Sequence, residues 1–333
     1  GKPNVGKSTF FKSCTLADIL IANYPFATIK ANHGVGYVRI ECIDKEFKVQ
    51  CMPRTGYCKQ GIRFVPVELM DVAGLVKGAS EGKGLGNQFL DDLRQADCFI
   101  QIVDVSGETD AEGKTTQNYN PVQDIEMLEN ELDLWYLGIL KKVWKTFSRT
   151  VQNTKENFVK ATAKQFSGLK VSEENVKSVT LKLKLNIEKP VEWDDEQLLK
   201  FARAIREETK PMIIAANKCD KPNSKENILK LKEAYPDKLI VPCSADSELA
   251  LREASSHELI DYLPGEADFK ILKDTNPKQQ QALDLIKKNV LDEYKGTGVQ
   301  EILNTAVFKL LKYIAVFPAG AHKLADCKGN ILP

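Results

Sequence analysis

The sequence predicts an α/β fold: a mainly parallel sheet flanked by helices, with a helical subdomain inserted. Three observations predict it. A glycine-bounded loop opens into a helical stretch at Lys7, short apolar strands repeatedly end in polar loops, and the loops at Asp71 and Asn217 stand 146 positions apart. A βαβ unit takes roughly 30 residues, so that interval holds an insertion. Over 333 residues, 43% hydrophobic and 28% charged content supports a sizeable core and about two domains. The net charge is +1, so no overall field selects nucleic acid or membrane, and such contact must come from a local patch. No apolar run approaches the roughly 20 residues of a bilayer span and no signal sequence is visible, which predicts a cytoplasmic protein without membrane contact.

The first element is Gly1-Lys2-Pro3-Asn4-Val5-Gly6-Lys7-Ser8, the pattern G-x-x-x-x-G-K-S. Gly1 and Gly6 permit turns that a side chain would obstruct, so the loop curls its backbone around nucleotide phosphates. Lys7 would reach the β and γ phosphates, and the Ser8 hydroxyl would ligate Mg²⁺. The helix running from Lys7 to about Leu16 adds its positive dipole end, and Thr9 joins the nucleotide-binding set. Neither a strand before Gly1 nor an initiator Met is present, which predicts a segment lacking its first core strand.

Val65 to Met70 reads as a buried strand running into Asp71-Val72-Ala73-Gly74, a D-x-x-G loop. Asp71 would hold Mg²⁺ through water, and the Gly74 amide would sense a γ-phosphate. Phe89, Leu90 and Leu93 mark the inner face of a helix before the strand Cys98 to Val103. From Pro121, Val122, Ile125, Leu128, Leu132, Trp135, Ile139, Val143 and Phe147 recur at helical spacing. Further helical stretches over 153–166, 171–183 and 194–207 complete the insertion, with Trp135, Trp144 and Trp193 as packing anchors. Lys141, Lys142, Lys145, Arg149, Lys155, Lys160 and Lys164 face little opposing charge beyond Glu156, a solvated face or a surface for RNA phosphates.

Ile214-Ala215-Ala216 leads into Asn217-Lys218-Cys219-Asp220, the pattern N-K-x-D. There the Asp220 carboxylate accepts hydrogen bonds from N1–H and the exocyclic amine of guanine, Asn217 supports the neighbouring loop and Lys218 stacks over the base. Adenine lacks that donor pair and would leave a charged acceptor unpaired, costing roughly 1 to 3 kcal/mol or more. The strand 239–243 ends at Ser244-Ala245, whose backbone amides would contact the guanine O6. Helices follow over 279–294 and 299–314, punctuated by Gly296 and Gly298.

Other chemistries find little support. Eight cysteines lack any C-x-x-C pair, arguing against a disulfide framework and a ribbon-type zinc site. Cys42, Cys51 and Cys58 share one presumed hairpin insertion, but their uneven spacing, with only His33 nearby, matches no familiar metal pattern. His33, His257 and His322 are widely separated and form no nucleophile–base constellation.

These motifs make the chain resemble a translation-factor-related GTPase of the Obg superfamily, close to its YchF-type branch. Asn23-Tyr24-Pro25-Phe26-Ala27-Thr28-Ile29 is similar to that group's switch I, and 71–76 with Gly78-Ala79 and Gly84-Leu85-Gly86-Asn87 to its switch II. The resemblance implies Thr28 as a further Mg²⁺ ligand, since Ala27 replaces the first switch I threonine. YchF proteins often carry N-x-x-E and accept ATP, whereas the intact Asn217 to Asp220 loop looks like that of archaeal and eukaryotic relatives bearing a C-terminal TGS domain. Leu75 stands where other GTPases place a water-orienting Gln, which implies slow turnover. In relatives with Asn at the position of Asn4, that residue helps bind K⁺, implying K⁺-stimulated hydrolysis; the alternative is that Asn4 only braces the loop.

The expected domains are a nucleotide-binding first part at 1–118, a helical insertion at 119–208, a second part at 209–316 and the opening of a truncated TGS module at 317–333. The expected activity is Mg²⁺-dependent GTP hydrolysis by a monomeric switch binding GTP and GDP and working with the ribosome or RNA. An ATP-hydrolysing YchF-like protein and a nonhydrolysing ribosome or RNA adaptor are the alternatives.

Overall fold

In the computed structural model, the structure describes residues 1–15, 33–72 and 94–317. The expectations for Leu16, switch I with Thr28, switch II beyond Val72 with Gly74 and Leu75, the helix face at 89–93, His322, Cys327 and the TGS opening from 318 lie outside these residues. The chain divides into two compact units, one comprising 1–2, 73–99 and 122–212 and the other 3–72, 100–121 and 213–333.

In the second unit the glycine loop turns into helix α1 (Lys7–Thr15), whose first bond runs from the Phe10 N–H to the Gly6 carbonyl at 2.8 Å. Strand β1 (His33–Glu41) leads to the short α2 (Asp44–Phe47), then β2 (Tyr57–Lys59) and β3 (Ile62–Met70). These strands form an antiparallel sheet in the order β1-β3-β2, with His33 opposite Met70 and Glu41 opposite Ile62. The expected buried strand at 65–70 is thus longer and only half-buried. An antiparallel sheet needs only one covered face, whereas parallel strands are buried on both. Tyr57 stacks on Phe64 at 4.5 Å on that covered face, where Tyr37, Phe64 and Leu263 form a small core. Strand β4 (Phe99–Asp104) follows.

The 146-position interval holds the predicted helices. Helix α3 spans Val122–Thr154, burying Ile125, Leu128, Leu132, Trp135, Tyr136, Leu140 and Trp144. Helix α4 (Phe158–Gln165) starts four residues after α3 ends, so 153–154 belongs to α3 and not to the second helix as expected. The Asn157 side chain caps α4 by accepting from the Lys160 N–H, which sets the boundary where a capping residue satisfies a free amide. Helices α5 (Glu173–Lys182) and α6 (Asp195–Thr209) both begin in capping boxes, at Ser172 and Asp194.

The tryptophans are packing anchors: Trp144 and Trp193 lie 5.1 Å apart, and Phe201 meets Trp193 edge-on at 5.3 Å. Asp133 is buried between two guanidinium groups, accepting from Arg203 Nε at 2.6 Å and Arg206 Nε at 2.8 Å, and joins α3 to α6. Phe201 is fully buried, so Phe201→Ala is expected to cost this unit about 3 to 5 kcal/mol, read as a lower denaturant midpoint. A midpoint shift equivalent to under 1 kcal/mol would contradict that packing.

Strand β5 (Met212–Asn217) returns to the sheet, α7 (Ser224–Ala234) crosses, and β6 (Ile240–Cys243) lies parallel to β5 in the order β4-β5-β6. This is the predicted strand, helix, strand arrangement. Helix α8 (Ala245–Ser256) leads to the strand pair β7 (Ile260–Asp261) and β8 (Lys270–Ile271). The helix expected over 279–294 starts at Pro277 as α9 (Pro277–Ile286), capped by Asn276, and continues through a wider turn over Lys287–Leu291. Helix α10 (Val299–Asn304) continues likewise through Thr305–Leu310, ending short of the expected 314. Among the described residues no helix is long and apolar enough to cross a membrane.

Candidate functional site

Within the second unit the strand ends bring the loops at Val5, Asp71, Asn217 and Ser244 together. Asn4 and Gly6 take left-handed backbone angles, φ 62° and 92°. A Cβ on Gly6 would sit 2.4 Å from Asn217 Nδ2, so glycine is required by both angle and space. Ser8 Oγ approaches Asp71 Oδ2 at 3.4 Å on an exposed rim. Hydroxyl and carboxylate oxygens are hard donors of the kind Mg²⁺ takes, so the two expected ligands from separate motifs fit that ion. Burial lowers the Lys7 pKa while the Asp71 carboxylate pulls it back up. An ammonium stripped of water in this way gains strongly from an incoming phosphate.

Asn217 is the hub. It is 3% exposed, its Nδ2 donates to the Val5 carbonyl at 2.9 Å, and its Oδ1 accepts from the Ala245 N–H at 3.0 Å. One side chain thereby joins the phosphate loop to both expected base loops, the supporting role read from the sequence. Lys218, at φ 65°, extends its ammonium to Asp104 Oδ2 at 2.6 Å, which anchors the methylene stem expected to stack on the base. Asp220 Oδ1 accepts from Ser244 Oγ at 2.8 Å, while its side chain stays 22% exposed.

Three expectations change in detail. The Ser244 amide donates to Thr297 O at 2.9 Å and the Ala245 amide to Asn217, so an O6 contact from either would require one of those bonds to open. Buried backbone donors are paired almost without exception, and here the protein pairs them itself. Ser244 serves instead through its hydroxyl. Lys2 is 1% exposed and its ammonium pairs with Asp124 at 2.8 Å within the first unit. Asn4 Nδ2 donates to Gly113 O at 2.9 Å, which braces the loop and leaves Oδ1 as the atom available to a cation.

Asp104 was missed. It is 1% exposed, with Oδ1 accepting from the Ser106 N–H and hydroxyl and Oδ2 from Thr109 and Lys218. The available signal was an Asp ending an apolar strand and followed two residues later by Ser, the pattern of an Asx turn. His33 bonds Glu68 at 2.7 Å, the structural role expected of it.

Comparison with known proteins follows the same lines. Residues 1–131 match the family model described as 50S ribosome-binding GTPase. Residues 215–320 match the one described as Obg-like GTPase YGR210-like, G4 motif-containing domain. A GTP-binding protein of Methanocaldococcus jannaschii is 48% identical, aligned over 100% of this chain and 84% of its own. One from Schizosaccharomyces pombe is 38% identical over 98% and 82%. The ribosome-binding ATPase YchF of Bacillus subtilis is 32% identical over 78% and 68%. Among solved structures, the GTP-binding protein from Pyrococcus horikoshii OT3 gives a TM-score of 0.78 at 38% identity, covering 100% of this chain and 82% of that one. The Schizosaccharomyces pombe YchF GTPase gives 0.54 at 23% identity over 96% and 76%, a likeness of fold alone.

Proposed function

This chain belongs to the Obg-like, YchF-related family of GTP-binding proteins with the P-loop GTPase fold, and we propose that it is a guanine-selective switch that hydrolyses GTP and works with the ribosome or RNA. The single observation carrying the choice of base is Asp220, held by Ser244 with part of its carboxylate exposed beside a Lys218 stem anchored on Asp104. A fixed double acceptor matches the N1–H and amine of guanine and has no counterpart in adenine. The two relatives with the higher identities, from Methanocaldococcus jannaschii and Schizosaccharomyces pombe, carry GTP-binding names, whereas the 32% relative is named an ATPase.

In this reading the loop from Gly1 to Ser8, with Thr9, holds the phosphates through its backbone amides, Pro3 excepted because it has no N–H, and Lys7 offsets charge on the β and γ oxygens. Ser8, Asp71 and Thr28 would hold Mg²⁺, which when bound supplies charge neutralisation at the phosphates. Gly74 senses the γ-phosphate. Leu75 has no group to orient water, so turnover depends on positioning by the loop and on a partner. Asn4 Oδ1 is the candidate K⁺ ligand, and turnover in KCl is expected to exceed that in matched NaCl by about tenfold, or ~1.4 kcal/mol of barrier. Equal rates would remove K⁺ from the scheme.

The divisions 1–118, 119–208, 209–316 and 317–333 remain the proposed domains of a cytoplasmic monomer. The helical insertion supplies the surface for ribosomal RNA. Lys141 there already pairs with Asp195 at 2.8 Å, so Lys142, Lys145 and Arg149, all exposed, carry the expected contact. The deciding experiment titrates fluorescent GDP and ATP analogues, then measures GTP turnover with and without ribosomes. Guanine preference and ribosome-stimulated turnover support the switch. Equal purine affinity would favour the ATPase reading, and guanine binding without turnover the adaptor.

A further inference from the structure

The excursion between β1 and β3 takes no part in the nucleotide site, yet it gathers four metal-ligating groups. Cys42 follows the last residue of β1, Asp44 opens α2, Cys51 lies in the loop beyond, and Cys58 is the middle residue of β2. One ligand atom from each lies within 4.8 Å of the other three. Cys42, Asp44 and Cys51 are 4%, 3% and 3% exposed, and Cys58 is half-buried.

This is an uneconomical way to fill a core. Asp44 Oδ2 accepts from the Cys51 N–H at 3.2 Å and from Cys58 Sγ at 3.3 Å, but the buried Oδ1 has no hydrogen-bond partner. An unpaired buried acceptor costs about 1 to 3 kcal/mol, and more when charged. Arg63 stands opposite Cys58 across the strand pair, is 8% exposed, interacts electrostatically with all three sulfurs, and leaves buried Nη1 unpartnered. Two orphaned polar atoms around three free thiols point to a missing cation and its counter-charge.

We propose that Cys42, Asp44, Cys51 and Cys58 form a structural Zn²⁺ site, a tetrahedral centre of three thiolates and one carboxylate, independent of the nucleotide. Zinc bonds of about 2.3 Å to sulfur place ligand atoms roughly 3.8 Å apart, so closing the present cluster takes a contraction of about an ångström. Three thiolates select a borderline-soft ion over Mg²⁺ or Ca²⁺. Binding releases three thiol protons, no electron moves, and the centre carries two net negative charges, one of which Arg63 offsets. Asp44 would ligate through Oδ1 while Oδ2 keeps the Cys51 N–H, the outer bond that orients a ligand.

The site lies at the start of β3, whereas Asp71 follows its end. About eight residues of extended strand, roughly 26 Å, separate Arg63 from Asp71. Its role is to pin the excursion 43–57 to the edges of the β1-β3-β2 sheet. The spacing explains why the sequence conceals it. Asp44, Cys51 and Cys58 are each separated by six residues and Cys42 precedes them by two, unlike the C-x₂₋₄-C of known ribbons.

The test uses the full chain, purified with reductant from zinc-supplemented medium and dialysed with and without EDTA. About one zinc per chain is expected by mass spectrometry, unaffected by GDP. The metal-free protein should bind Co²⁺ with the strong visible bands of tetrahedral cobalt and a thiolate charge-transfer band, both erased by Zn²⁺. Cys58→Ser and Asp44→Asn should each weaken Co²⁺ at least tenfold while GDP binding persists, and Cys98→Ser should leave it unchanged. Zinc below a tenth of an equivalent with no tetrahedral cobalt spectrum would overturn the site, as would a disulfide between any two of the three cysteines in the reduced preparation. The wild-type measurements decide alone if a variant fails to fold.

Discussion

Asp220→Asn is expected to reverse the base preference, lowering GTP affinity by about 100-fold, or ~2.7 kcal/mol, and raising that for xanthosine triphosphate. The carboxylate is braced by Ser244 Oγ at 2.8 Å and flanked by Lys221 Nζ at 3.7 Å. Asn has nearly the same size and can still accept from Ser244 through its carbonyl, so the loop keeps its shape. The exchanged group meets guanine's donors with a donor of its own, while the 2-carbonyl of xanthine becomes its match. Competition binding with GTP, xanthosine triphosphate and ATP reads the outcome, and an unaltered order would refute base reading by this residue. Ser244→Ala provides a graded comparison: removing the brace should weaken GTP without favouring another base.

Asn217→Ala is the second large effect, and it acts on fold and site together. Its amide holds the Val5 carbonyl and the Ala245 N–H in a place 3% exposed. Truncation strands both backbone groups, at about 1 to 3 kcal/mol each, so the unit should lose roughly 2 to 6 kcal/mol. Nucleotide affinity should fall by at least 100-fold, because the phosphate loop and the Ser244 loop lose their common tether. Urea unfolding followed alongside GDP titration separates the two losses. Unchanged stability would mean that water replaces the amide and that Asn217 is not the hub.

The nucleotide motifs were legible because phosphate and base recognition need consecutive residues in fixed order. Gly6, Lys7 and Ser8 stand together in one turn, and Asn217 and Asp220 in one loop at the end of an apolar strand. The insertion was legible as well, since Ile125, Leu128, Leu132 and Trp135 mark one helical face before any partner is known. Boundaries were less so: α3 absorbs Asn153 because the next helix waits for the Asn157 cap.

Local order therefore determined the kind of fold, the glycine-bounded loop pattern and the N-K-x-D loop proposed to read guanine. Tertiary structure alone decided which groups meet across distance. Asp104 reaches Lys218 over 114 positions, Thr297 pairs the Ser244 amide, and Asp44 joins the three cysteine sulfurs in one cluster. The physical reason is range: turns, caps and helical faces arise from neighbours a few residues apart, whereas pairing a buried polar atom depends on whatever the rest of the chain brings beside it.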